Sequence, residues 1–327
     1  MSDLWFSLDA VLPIVLLVVI GYVLKRLGLI DGGVATVLNK LVYRLFLPVM
    51  LFLNVYEIES IGDVNLTYVA FSCVLTVGFF IMSIPVSMML TKENAQRGAI
   101  VQGTCRSNTA LIGVPLATSL YGTQGAILAT VMSAFIIPLY NILSVLGLSM
   151  FSTDSSKKFS IKKVMADIVK NPLIQSIVLG LLVIWVRTIF QKCSIGFRLT
   201  DISFGFEVLE YLSGVATPVA LIALGAQFEF SSISDYKKPI IWIIFSRGVL
   251  LPAVSILLAL ALGGFTGAHY ATFISVFATP VAVATVPMAQ EMDADSALAG
   301  QLVIFSTITS GFSIFLIVYI LRAIGIF

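Results

Sequence analysis

Long apolar blocks alternate with short polar stretches along the whole of this chain. A block of roughly 20 apolar residues, rising 1.5 Å per residue, crosses the hydrocarbon core of a bilayer as a helix. Ten blocks reach that length, near 9–28, 37–56, 64–90, 96–120, 124–151, 171–190, 206–229, 238–262, 268–290 and 296–325. The pattern predicts an all-α polytopic membrane protein with ten transmembrane helices. The longest polar stretch, 152–170, is too short to bury a soluble core of its own.

Composition agrees. Apolar residues make up 59% of the 327 and charged residues only 11%, where a soluble globular chain carries about 25% charged residues. The net charge of +2 and the scatter of the basic residues exclude a nucleic-acid stripe. Cys73, Cys105 and Cys193 lie far apart without metal-ligand spacing, and the first two read as core residues. No basic segment precedes the first apolar run, 11–24, so that run is expected to be the first span and not a cleaved leader. Nothing in the chain pairs a nucleophile with a base or gathers a metal cluster, so neither an enzyme nor a cofactor is expected.

Short cytosolic loops are enriched in lysine and arginine. One face collects thirteen of them, including Lys25, Arg44, Lys92 and five in the 152–170 stretch, against Arg187, Lys192, Arg198 and Arg322 opposite. The richer face is therefore expected in the cytosol, which puts both termini and the acidic Glu57, Glu59 and Asp63 loop outside. Glu291, Asp293 and Asp295 make the last inner loop acidic and depart from that bias.

The spans also repeat. The first and sixth carry a proline eight residues before a glycine, Pro13 with Gly21 and Pro172 with Gly180. The second and seventh share a Pro-Val step at Pro48 and Pro218, and the third and eighth have late prolines, Pro85 and Pro252. SNTALIGVP at 107–115 lies over TPVAVATVP at 279–287. Five spans per half is an odd number, so the series predicts two inverted five-helix repeats, 1–151 and 171–327, joined by the basic loop 152–170.

Polar groups at membrane depth mark function when they face the bundle interior. Arg106 stands in mid-span among Ser107, Asn108 and Thr109, and is expected to line a wet cavity. Arg44 and Arg247 either snorkel to an interface or support the site. Ser107 and Asn108 are natural caps, so the fourth span is expected to break and restart at Thr109. Thr279 is expected to cap a second half-helix beginning at Pro280 and continuing through Val281. Two half-helix N-termini beside Arg106 would favour an anion, and a carboxylate suits them. Thr217-Pro218 shows the same local chemistry and would only kink. Asn141, three residues after Pro138, either bonds a freed carbonyl or reaches the substrate. His269 is expected in a solvated role near a helix end, and Gly21, Gly180 and Gly225 at close helix contacts.

LNKLVYRLFLPVMLF in the second span, NTALIGVPLATSLYG in the fourth and ATPVAVATVPMAQE in the ninth resemble the auxin efflux carrier family, which includes plant PIN proteins and bacterial carriers associated with malonate or malate. The likeness extends over essentially the whole chain. It implies ten spans in two inverted repeats whose fourth and ninth helices are broken and cross near the substrate, with Asn108 and Pro280 as the crossover residues. It also places Arg44 where PIN proteins carry a support-site lysine. Three features depart from the family: Ser107 replaces the proline before the crossover asparagine, the third span holds no acid, and the long hydrophilic loop of many plant members is replaced by 152–170. The related bile-acid sodium symporters use a ninth-helix glutamate, which 279–289 lacks, and this disfavours sodium coupling. The resemblance implies a secondary carrier of a small organic anion in a cell membrane, and the fold is compatible with a homodimer. A ligand sensor on the same fold, or a carrier of another solute coupled to protons or sodium, are the alternatives.

Overall fold

A computed structural model of the chain describes residues 2–56, 66–152, 161–192, 196, 198–228 and 234–326. Glu57, Glu59, Asp63, Lys157, Lys158, Cys193 and Glu229 lie outside the described residues. In chain order the helices are α1 (Ser2–Arg26), α2 (Gly32–Tyr56), α3 (Leu66–Leu90), α4 (Asn94–Cys105), α5 (Thr109–Met150), α6 (Ile161–Lys170), α7 (Pro172–Lys192), α8 (Ser203–Gln227), α9 (Lys237–Leu262), α10 (Gly267–Phe277), α11 (Thr285–Glu291) and α12 (Ser296–Ala323). Among the described residues there is no strand, only one isolated antiparallel bridge between Ser107 and Val281.

Seven helices, α2, α3, α5, α7, α8, α9 and α12, are long and apolar enough to cross a membrane. Their surfaces are those of a protein solvated by lipid. Met89, Phe204 and Phe312 are 83%, 77% and 70% exposed, while Asn39, Gln102, Asn141, Arg106 and Arg247 are buried. Water would invert that arrangement. The chain is an integral membrane protein.

Local chemistry sets the helix ends. Asp31 Oδ1 accepts from Val34 N at 2.7 Å to start α2, and Asp295 Oδ1 accepts from Leu298 N at 2.8 Å to start α12. Asn171 Oδ1 does the same for Leu173 N at 2.9 Å at the head of α7. The fourth and fifth apolar blocks, expected as separate spans, meet in α5 across a kink at Tyr121 and Gly122. There Gly122 takes φ +59° and ψ −148°, a conformation that only glycine adopts without strain. The fourth and ninth blocks are not continuous helices. α4 is 12 residues long, and the ninth block divides into α10 and α11 of 11 and 7 residues. Pro218, by contrast, leaves α8 unbroken from Ser203 to Gln227.

Two helix pairs approach at van der Waals limits. α1 packs on α8, where a Cβ at Gly225 would lie 1.9 Å from the Val18 carbonyl oxygen and one at Gly21 would lie 2.1 Å from that of Ile222. α7 packs on α2, where a Cβ at Gly180 would sit 2.9 Å from Val55 Cβ. Small residues permit such contact because lipid offers no hydrophobic force to drive helices together, leaving close packing to hold them. α10 lies against α5, and α4 fits between α3, α5 and α12. His269 stays at the head of α10, where Nδ1 bonds the Thr266 hydroxyl at 2.8 Å and accepts from its amide at 3.1 Å.

Candidate functional site

The two helix breaks meet. α4 ends because Arg106 turns extended, with φ −95° and ψ 109°, and α10 ends two residues before Thr279. The freed backbones pair with each other: Asn108 N donates to Pro280 O at 2.8 Å, and Ala282 N donates to Arg106 O at 3.2 Å. Pro280 contributes through its carbonyl, the one backbone polar group that proline retains. Val281 N donates to Ser306 Oγ of α12 at 3.0 Å.

Several expected roles change at this crossing. Ser107 does not cap α5. Its hydroxyl bonds Tyr140 Oη at 2.7 Å and Thr109 Oγ1 at 3.0 Å, and donates to Val276 O at 2.6 Å, tying the break to α5 and α10. Asn108 occupies the cap position, yet its carbonyl does the bonding, accepting from Ile112 N at 3.1 Å and Gly113 N at 3.3 Å, while its side chain caps nothing. Helix does not resume at Pro280 but at Thr285. Thr279 Oγ1 donates back to Ser275 O at 2.8 Å instead of capping a new helix. The Ser306 and Arg106 bonds explain this difference, since they hold 281–282 extended.

Arg106 and Arg247 are buried, 5% and 2% exposed. Arg247, on a π-helical turn of α9, gives Nη2 and Nε to Thr279 O at 2.5 and 3.1 Å, and Nη1 to Thr104 O at 3.3 Å. It satisfies carbonyls that the two breaks release. Arg106 has no such partner. Among the described residues its guanidinium reaches only Met288 Sδ, at 3.2 Å, a weak acceptor. Arg44, on a π-helical turn of α2, is elsewhere: Nη2 and Nε bond Glu291 Oε2 at 2.8 and 3.1 Å at one end of the bundle.

A narrow cleft opens onto the crossing, lined by Arg106, Asn108, Thr109, Tyr140, Asn54 and Ala220 among others. A second cleft shares Leu51, Asn54, Ala110 and Ile137 with it and extends toward Val55 and Ser133. The amides of Thr109, Ala110 and Leu111 begin α5 and so have no acceptor within the helix. Those of Val283 and Ala284, also lining the cleft, donate to no described acceptor. Five backbone amides without a described acceptor and one guanidinium thus belong to residues that line one space. Asn141 does not line it. The side chain is fully buried and Nδ2 donates to Ile137 O at 2.9 Å, which is not the carbonyl freed by Pro138. Tyr140 and Asn54 line the cleft without a sequence signal to mark them, although Tyr140 is the immediate neighbour of Asn141.

The bundle end that carries Arg44 is closed by side chains. Asn39 Nδ2 donates to Gln227 Oε1 and Gln290 Oε1, both at 3.0 Å, joining α2, α8 and α11. Asn171 Nδ2 donates to Tyr43 Oη at 2.8 Å. Tyr236 Oη donates to Asp295 Oδ2 at 3.0 Å, and burial, then the Asp295 charge, push that phenol above its usual range. Glu291 and Asp295, the acids that departed from the charge bias, are thus consumed by internal bonds. A vestibule of about 1210 Å³ lies here, lined by Tyr43, Arg44, Lys170, Asn171, Glu291 and Asp293.

The family model described as membrane transport protein matches residues 6–318. An uncharacterized transporter of Methanothermobacter thermautotrophicus is 22% identical over 310 residues, covering 93% of this chain and 95% of the relative. The uncharacterized transporter MJ1031 of Methanocaldococcus jannaschii is 24% identical over 260 residues, covering 77% and 79%. With a membrane-solvated bundle and a polar crossing inside it, the chain belongs to this membrane transport protein family, the auxin efflux carriers, and is a transporter, not an enzyme.

Proposed function

We propose that this transporter carries a small organic anion, a mono- or dicarboxylate, bound at the crossing of its two broken helices. The observation that carries the reading is Arg106. A buried guanidinium costs several kcal/mol unless it is paired, and this one has a thioether for company. Five amides without a described acceptor belong to residues lining the same cleft. A carboxylate would satisfy both through charge-assisted bonds. Asn108 and Thr109 would contact it, Ser107, Thr279, Pro280 and Val281 would shape the crossing, and Arg247 would hold it. Asn141 would act within α5, and Arg44 at the inner mouth.

The architecture that suits this reading is ten spans in two inverted five-helix halves, 1–151 and 171–327. α4 with the start of α5 forms the broken fourth span, and α10 with α11 the broken ninth. The packing supports an inverted pair: the first span rests on the seventh through Gly21 and Gly225, as the sixth rests on the second through Gly180. Loop 152–170 then lies in the cytosol and both termini outside, so the crossover cleft opens outward while Arg44–Glu291 and the Asn39 cluster seal the cytosolic side. Rocking one helix group on the other would move the opening.

Counterflow in proteoliposomes tests the reading, with labelled malate, malonate and an auxin under defined ion gradients. Accelerated exchange of at least one is expected. Exchange of none, by protein that is folded and correctly inserted, would remove the carboxylate assignment.

A further inference from the structure

Helix α6, Ile161–Lys170, is too short to span a bilayer and is placed apart from the crossing, packed on α5 and α7 at the vestibule end. Its sequence IKKVMADIVK sets apolar residues at 161, 164, 165, 168 and 169, the i, i+3, i+4, i+7, i+8 register of a single face, and lysines at 162, 163 and 170 with one acid, Asp167. Ile168 leans on the core, but Met165 and Val169 are 53% and 64% exposed. No described element covers them. A short amphipathic helix with exposed apolar side chains and a lysine-rich polar face fits the boundary between headgroups and acyl chains. Lys157 and Lys158 precede it in the sequence and add to the charge.

We propose that α6 is an interfacial helix that binds the surface of an anionic bilayer leaflet, with its apolar face at the acyl boundary and its lysines against phospholipid phosphates. The helix is coupled to the transporter's mouth. Its last residue, Lys170, lines the vestibule, and the next, Asn171, both caps α7 and donates to Tyr43 on the π-helical turn that carries Arg44. Leaflet charge is thereby linked to the closed end of the bundle. The proposal does not depend on which substrate the crossing takes.

The test is lipid titration of the full-length protein in neutral detergent, reading the thermal unfolding midpoint with phosphatidylglycerol and with phosphatidylcholine. Phosphatidylglycerol is expected to act at concentrations at least tenfold lower. One lysine near an anionic surface strengthens attachment about fivefold, so the combined K162Q, K163Q and K170Q protein should need roughly a hundredfold more anionic lipid. Val169→Asn should weaken the response to both lipids. The preference for phosphatidylglycerol should fall as salt rises. Equal potency of the two lipids, an unchanged titration of the triple variant, or an equal shift by inorganic phosphate alone would each overturn the assignment. This readout needs no transport, so failure of the carboxylate reading leaves it interpretable.

Discussion

The two buried arginines of the crossing, Arg106 and Arg247, differ in what offsets their charge. Arg247 spends its guanidinium on the carbonyls of Thr104 and Thr279, which the helix breaks release. Arg106, at the break itself, bonds its backbone to the opposite segment and, among the described residues, leaves its side chain with Met288 Sδ alone. One arginine completes the structure, and the other is the one proposed to meet a ligand. Burial alone does not separate the two roles. Their bonding partners do.

Substitutions sharpen that division. Arg106→Met should cut carboxylate exchange at least a hundredfold, as expected when a charge-assisted bond worth about 3 kcal/mol is lost. It should leave the unfolding midpoint equal or higher, because an unpaired buried charge is removed. Parallel flux and thermal-unfolding assays read both effects. Arg247→Met should instead act on the fold. Two carbonyls lose their donor at about 1–3 kcal/mol each, which would appear as a lowered midpoint and a poor yield of folded protein. Gly225→Ala drives a Cβ against the Val18 carbonyl oxygen and should cost about 1–3 kcal/mol, again read as stability. Asn108→Ala should lower flux about tenfold, the order of a neutral hydrogen bond, without moving the midpoint, since the crossing uses its backbone. Gln102→Leu should have the smallest effect. Both ends of that buried amide lack a partner among the described residues, so the apolar replacement should raise stability by about 1 kcal/mol.

Much of this was legible in the chain. Apolar block length gave the membrane class, and the polar run 106–109 inside an apolar block located the crossing. The glycines marked where helices touch, as at Gly21, Gly180 and Gly225. Other features depend on tertiary bonds that spacing does not encode. Pro280 reads as a helix start, but Val281 N and Ala282 N are taken by Ser306 and Arg106 O, so helix waits until Thr285. Arg44 reads either as snorkelling to an interface or as supporting the site, and its bond to Glu291, 247 residues away, holds it at the mouth. Sequence marks Asn141 beside Pro138 and gives no sign of its neighbour Tyr140. Helix rotation turns the tyrosine toward the cleft and the asparagine into the packed bundle. Arg106 is set apart on sequence by its polar neighbours Ser107, Asn108 and Thr109, and the carbonyls around Arg247 show what that second cation does.

The central claim is that Arg106 waits for a carboxylate. The most direct measurement compares exchange of labelled malate, malonate and an auxin by wild-type and Arg106→Met proteins, reconstituted at equal density and verified as folded. The account predicts exchange of at least one carboxylate by the wild type and loss of that exchange in the variant. Undiminished exchange by Arg106→Met would contradict it.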